Sequence, residues 1–560
     1  MSPLSKFVVL AALAASVSVP NAYADKKTVC TITVNSANEK DTLRRWLPAS
    51  DYQFVELVER GRPDWLASAC RAGVHCDVLV ISGHFDDGTQ FYSDRLDARE
   101  SLPVEALQRA SCSDSCPGVF SQLKEVYLFG CNTLNGDAGD SVAREIARTL
   151  ARSGVATPDA DSLARESQQR YAESNRDAMR RIFANVPVIY GFSSLAPLGA
   201  VAGPMLGKYF QSAPPGEIGS GHVSLSLLRQ FAANSMTATS GVTDSEPRAA
   251  NRADACQYVD QRLTSAQKIE SMHRILGGDL GDARMHFDRI EKLAATLTVP
   301  QRAAPDVAKA LESITTDENT RERYLRFARN TDRPEIRTRM IRLADSLGWL
   351  TDIDRRAEIA DMITGQLAQP QLSSSEVDLI CSLNRDRLLD RELPRIKVPA
   401  ALASRPAQSA VLACLGNAEA HTRVLQALSS PDESDVQVAQ VYLRHHPITD
   451  VAELRTVSAA IAKMTGVEAQ IRALDTLAFQ YMKDRESLDH LARLFPLAKS
   501  LTVQRAIAGI FIRSDYQHLA RPEFVRVLQQ TRLKSPTGAD MIDALIRRLQ
   551  LTTRAAETPA

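Results

Sequence analysis

Two short apolar runs, each ending in a reactive side chain, constrain this chain more than any other feature. Asp77-Val78-Leu79-Val80-Ile81 leads into Ser82-Gly83-His84, and Glu125-Val126-Tyr127-Leu128-Phe129 leads into Gly130-Cys131-Asn132. Short continuous runs rich in β-branched and aromatic residues read as strands buried on both faces of a parallel sheet. In open α/β sheets, ligands sit beyond the carboxyl ends of the strands. The pattern therefore predicts that one imidazole and one thiol are delivered to the same edge of one sheet.

The chain around these runs alternates between strand and helix. Val29 to Val34 and Tyr52 to Val55 read as strands, and Pro63 to Ala72 as a helix with Gly73 past its end. An extended pair is expected around Gly88 to Tyr92, and a helix over Leu102 to Ala110. Asp140 to Ser153 carries an apolar stripe of Val142, Ile146 and Leu150 and stops at Gly154. A long polar helix from about Asp161 to Ala184 then leads into a buried strand, Val186 to Gly191. This alternation predicts a parallel-sheet α/β domain over residues 25–213. Residues 214–254, rich in Ser, Gly, Pro and Ala, read as a connecting segment, with a linker within 235–255.

Beyond that point the pattern changes. At 560 residues the chain is long enough for roughly three or four units. Residues 255–551 show helical patterns broken by Pro, Gly, Asn and Asp, and no buried strand. Ile336–Leu343, Val436–Leu443, Val467–Leu474 and Val503–Ile510 echo one another, and the last two begin 36 positions apart. That spacing suits stacked helix pairs and predicts an all-α solenoid of HEAT-like type, with a plain bundle as the alternative. Residues 552–560 read as a disordered tail.

Charge and cysteine usage narrow the class. Lys+Arg and Asp+Glu are each 67, so no basic excess points to nucleic acid or to an anionic membrane surface. Lys6, the apolar run Phe7 to Val19 and the small residues of Ala22-Tyr23-Ala24 form a signal-peptide pattern over residues 1–24. The mature chain is expected to start near Asp25 in the periplasm or outside the cell, with no membrane span after signal removal. Nine cysteines in an oxidising compartment leave one thiol over. If Cys131 is that thiol, the other eight can form up to four disulfides. Cys112–Cys116 is the best local pair, pairing is expected among Cys30, Cys70 and Cys76, and Cys381 with Cys414 is a further candidate. No second Cys-x-x-Cys or His pair completes a tetrahedral metal set.

A thiol nucleophile needs a base for its proton and donors for the developing oxyanion. His84 can act as base and then as acid, because imidazole titrates near neutrality. The backbone N–H groups of Phe85 and Cys131 are candidate oxyanion donors. An apolar strand ending in Ser-Gly-His, followed 47 positions later by an apolar strand ending in a small residue and Cys, resembles the caspase-like (clan CD) cysteine peptidases. The resemblance is greatest to the CHAT branch, alongside separases and gingipains, and it covers residues 26–213. It implies a caspase–haemoglobinase fold, a His84/Cys131 dyad, no cofactor, and a protein or peptide substrate. It also implies that the substrate lies beside the strand leading to Ser193, which makes Tyr190, Gly191, Phe192, Ser193 and Ser194 candidate binding residues. CHAT-type domains are often joined to helical repeats, here a candidate surface for a protein partner.

Two departures accompany the resemblance. Phe85 stands where the family usually has Gly, and its side chain is expected to crowd the oxyanion site or to restrict the backbone. Gly130 stands where Ala is commoner. Asp86, Asp87, Asp137 and Asp140 could line a pocket for a basic side chain, Asp86 foremost; as loop carboxylates they are otherwise solvated. His75, His445 and His446 read as surface or packing residues. The competing functional reading is a non-catalytic caspase-like fold that serves as an interaction scaffold, and Phe85 favours it. A third is that Cys131 is itself disulfide-bonded.

Overall fold

The computed structural model describes residues 26–57, 66, 70, 72–86, 88–94, 100–112, 117–137, 141–152, 173–213, 215–246, 248–260, 262–480, 482–514, 517–536 and 538–557. The expected leader, most of the helix expected at 63–72, and Asp87, Cys116, Asp140 and Gly154 lie outside these residues. Two compact units divide the chain, one of residues 1–144 and 159–310, the other of residues 145–158 and 311–560. The first unit thus runs well past residue 213.

A six-stranded sheet is the centre of the first unit. Its strands are β1 (Lys27–Thr33), β2 (Tyr52–Glu56), β3 (Val78–Ser82), β7 (Glu125–Phe129), β8 (Val188–Phe192) and β9 (Met236–Thr239), in the spatial order β2-β1-β3-β7-β8-β9. The first five run parallel and β9 is antiparallel to β8. A small antiparallel sheet of β4 (His84–Phe85), β5 (Gln90–Tyr92) and β6 (Ser101–Pro103) follows directly from β3.

Side chains alternate across the large sheet with a period of two, and both faces are covered. Leu79, Ile81, Val126, Leu128 and Ile189 pack with Leu107 of α2 (Val104–Cys112) and with Met179 and Ile182 of α3 (Asn175–Ile182). Val78, Val80, Tyr127, Val188 and Tyr190 pack on the other face with Leu43 of α1 (Asn38–Trp46) and with Leu206 and Tyr209 of α4 (Gly199–Ser212). Burial on both faces is why these strands read as continuous apolar runs rather than as alternating ones.

The segment expected to be a linker is part of this domain. β9 completes the sheet, and α5 (Arg248–Val259) follows it. Met236-Thr237-Ala238-Thr239 is short, weakly apolar and flanked by Ser and Gly, so its composition resembles a loop although its backbone pairs as a strand.

Three disulfides are described: Cys30–Cys76, Cys112–Cys256 and Cys381–Cys414. Cys112 therefore does not pair with its neighbour Cys116. It lies at the end of α2, and Cys256 of α5 comes to meet it. Cys70 is also disulfide-bonded.

The second unit is helical. Helices α6 (Pro406–Cys414), α8 (Glu433–His445), α10 (Val467–Ala478), α12 (Leu501–Arg513) and α13 (Met541–Glu557) pack successively on one another, each on the next. The helices between them, α7 (Ala418–Ala427), α9 (Val451–Ile461) and α11 (Arg485–Leu494), form a second such row. Val436, Ala473, Leu474, Ile507 and Ile510 are fully or nearly fully buried in this core. Asn417, Asp450 and Asp484 cap α7, α9 and α11 by accepting backbone N–H bonds, which sets where each of those helices begins. Among the described residues no helix is long and apolar enough to cross a membrane.

Candidate active site

β3 and β7 are adjacent and parallel, with Ser82 opposite Phe129. The Gly83 N–H donates to the Phe129 carbonyl at 3.1 Å, which carries the register past the strand ends. His84 and Cys131 follow at matching positions, and both line one small cleft of about 50 Å³. Its walls come from the residues after β1 (Asn35, Ser36, Glu39), from the ends of β3 and β7, and from the segment Ala196–Gly199 after β8.

Cys131 is the free cysteine among the described residues. The Ala196 N–H donates to its sulfur at 3.3 Å. The loop carrying it is laced to the end of β8. The Asn132 N–H donates to the Ser194 carbonyl at 2.7 Å, and the Leu134 N–H to the Phe192 carbonyl at 3.0 Å. The Thr133 hydroxyl donates to the Gly130 carbonyl and accepts from the Phe192 N–H. Asn132 sits at φ 57°, a left-handed conformation that asparagine adopts more readily than most residues. Gly191 is required here, since a Cβ would lie 2.7 Å from the Thr133 hydroxyl.

His84 is held from two directions. Its ring lies against Tyr92 of β5, centroid to centroid 5.4 Å. Its Nε2 is 3.2 Å from an Asp94 carboxylate oxygen, close but poorly aligned for a hydrogen bond. Asp94 carries no sequence signal beyond being one of several loop carboxylates, and neither Ala196 nor Glu39 could be singled out from the sequence.

Phe85 does not crowd the cleft. Its side chain is buried in the core against Phe91, with ring centroids 4.8 Å apart, and its backbone is extended within β4. The space it fills explains Gly130. A Cβ at position 130 would lie 3.0 Å from the Cβ of Phe85 and 3.0 Å from the Gly83 carbonyl. The two departures from the family pattern are thus one packing solution.

Other candidates are placed differently from expectation. Tyr190 and Phe192 are fully buried, and Ile189 to Phe192 pair with Thr239 to Met236 of β9. The edge of β8 is occupied by this chain's own strand, so Tyr190, Gly191 and Phe192 are core residues and not a platform for a peptide. The Ser193 N–H and hydroxyl both donate to the Ser235 carbonyl, and the Ser194 carbonyl accepts from Asn132. Asp86 closes the turn between β4 and β5, accepting from the Thr89 hydroxyl and from the N–H groups of Thr89 and Gln90. Burial raises its carboxyl, and the bonds from Thr89 and Gln90 together outweigh it and hold the group below its ordinary value. Asp137 lies outside the cleft. In the second unit His445 pairs with Asp378, and with His446 it lines a separate cavity of about 440 Å³.

Comparison with protein-family models, with curated proteins and with solved structures finds no match to this chain.

Proposed function

We propose that the first unit is a caspase-like cysteine endopeptidase of CHAT type, with Cys131 as nucleophile and His84 as base. The observation that carries this reading is a free thiol and an imidazole at the ends of adjacent parallel strands, lining one cleft. The sulfur attacks the carbonyl carbon of the scissile peptide bond while His84 accepts its proton. As the C–N bond breaks, His84 returns that proton to the leaving nitrogen. Water then attacks the thioester, losing a proton to His84, and the carboxylic acid leaves as the thiol re-forms. The Ala196 N–H favours negative charge on the sulfur, and the backbone N–H groups of Phe85 and Cys131 are the proposed oxyanion donors.

The helical unit is proposed to be a HEAT-like α-solenoid that presents a surface to a protein partner or substrate. Its two rows of successively packed helices support that reading. The disulfides fit a periplasmic or secreted protein, because such bonds persist in oxidising compartments. The non-catalytic scaffold reading rested on Phe85, whose buried position removes that support.

The test is direct. Wild-type protein should cleave a peptide library and be alkylated at Cys131 by iodoacetamide in a His84-dependent way. Cys131→Ala should lower cleavage by at least about 10⁴-fold, the scale on which loss of a catalytic nucleophile is measured. Full cleavage by Cys131→Ala, or alkylation indifferent to His84→Ala, would overturn the assignment.

A further inference from the structure

Three of the chain's ten histidines line the cavity of about 440 Å³ in the second unit, together with Arg387 and Asp390. His421 of α7 is committed to the fold, with Nδ1 2.7 Å from the Tyr442 hydroxyl and Nε2 3.1 Å from a Glu453 carboxylate oxygen. His445 at the end of α8 is held at Nε2 by Asp378 at 2.9 Å, and its Nδ1 makes no hydrogen bond among the described residues. His446 stacks on the Tyr442 ring, centroids 4.9 Å apart, and neither of its ring nitrogens is bonded among the described residues. None of these unbonded nitrogens is buried, so each meets accessible space at the cavity its residue lines. Arg387 is exposed and makes no ion pair or side-chain hydrogen bond among the described residues. Its backbone is left-handed, φ 60°, so the surrounding structure and not the preference of an arginine puts it at the cavity. Asp390 is the one carboxylate among the described lining residues. Asn384 Nδ2 donates to it at 2.5 Å, and a Cβ on Gly416 would lie 3.2 Å from it. Among the described residues no three His, Cys, Asp or Glu are placed to hold a metal ion.

We infer that this cavity binds a small organic carboxylate, held by Arg387, His446 and Nδ1 of His445, and binds it more tightly as pH falls; the inference is independent of the peptidase reading. A guanidinium fork matches a carboxylate in two parallel bonds. A protonated imidazole donates from both nitrogens and a neutral one from a single nitrogen, so acid adds donors to this wall. The permanent charges of the wall are Arg387 and Asp390, which suits one added negative charge and leaves a second without a cation. The volume lies within the range of small-molecule sites, about 300–1,000 Å³, so the carboxylate carries an organic body, with Ala413, Ala418 and Pro447 as apolar wall. The groups that face His446 set the sign of the pH effect. Burial first, then Arg387, His445 and His421, hold it below the ordinary imidazole value, against Asp390. Asp378 and Glu453 are the carboxylates that face His445 and His421. An anion beside Arg387 offsets the neighbouring positive charge and raises His446, so binding takes up a proton and strengthens as pH falls.

The experiment titrates the full chain by calorimetry at about pH 5.5 and about pH 7.5, the range in which imidazole changes charge. The probes are benzoate, which stays ionised throughout, neutral benzyl alcohol of similar shape, and phenyl phosphate. Benzoate should bind, about fivefold or more tightly at the lower pH, and benzyl alcohol should not. Arg387→Gln should weaken benzoate about tenfold or more, the scale of one charge-assisted hydrogen bond. His446→Gln should cut the pH dependence to less than about twofold, and both variants should keep the wild-type melting temperature. No binding of benzoate, affinity that does not rise at the lower pH, or binding indifferent to Arg387→Gln overturns the inference. So does binding of benzyl alcohol as strong as that of benzoate. Phenyl phosphate that binds more tightly than benzoate at the higher pH overturns the carboxylate assignment, as does binding of an acidic peptide without binding of benzoate. If either variant does not fold, the histidine ring resonances of the wild-type chain decide. Benzoate should raise the titration midpoint of His446, and an unchanged midpoint overturns the inference.

Discussion

Gly130 and Phe85 form a pair at the residue scale. Phe85 fills core volume beneath the sheet edge that bears His84 and Cys131, and Gly130 leaves the room it needs. Gly130→Ala should lower stability by about 1–3 kcal/mol through overpacking, and Phe85→Gly by about 3–5 kcal/mol through the cavity it opens. The double variant should lose less than the sum, by about 0.5–3 kcal/mol, as read from urea denaturation of the full chain. Strict additivity would show that the two positions do not share space. His84 and Cys131 were legible in the sequence because a strand's last apolar residue marks where the next side chain emerges. Glu39, Asp94 and Ala196 were not, because Glu39 and Ala196 reach the cleft, and Asp94 reaches His84, from a loop or helix whose placement depends on tertiary packing.

At the element scale, β3, β7 and β8 could be read because burial on both faces writes an unbroken apolar run. β9 could not, since four residues at the end of a sheet need little apolar surface and take their structure from the partner strand. Glu125 shows how the region before β9 is anchored. The side chain at the start of β7 is 1% exposed, and its carboxylate accepts from the N–H groups of Gly219 and Gly221 and from the Tyr127 hydroxyl. Both glycines have positive φ, 71° and 76°, which lets the loop turn its N–H groups inward. Glu125→Ala leaves these donors, together with the Ser220 hydroxyl at 3.4 Å, without their acceptor and should lower stability by about 3 kcal/mol or more, at about 1–3 kcal/mol for each unmade bond. A loss below about 1 kcal/mol in thermal or chemical denaturation would show that solvent replaces the carboxylate. The capped helices of the second unit were legible as helical patterns, whereas the way they pack in two rows was only suggested by loose echoes.

At the scale of the whole molecule, the change from strand–helix alternation to helices alone was visible in the sequence. The extent of the first unit was not, because residues 214–310 supply β9 and α5 from a stretch that looks like a connection. The Cys112–Cys256 bond spans a sequence separation of 144, the longest of the three. By chain-entropy arguments a loop of that length restricts the unfolded state by about 5 kcal/mol. It also fixes what limited proteolysis does to the molecule. A single cut anywhere from residue 113 to residue 255 puts Cys112 on one fragment and Cys256 on the other, whichever bond is broken. The nicked protein should run as one full-length species on a denaturing gel without reductant and separate into two only when thiols are added; fragments that part without reductant would rule out this pairing. A nick in that interval would thus give a two-chain form whose halves stay joined until a reductant acts, so that cleavage and dissociation are chemically separate events.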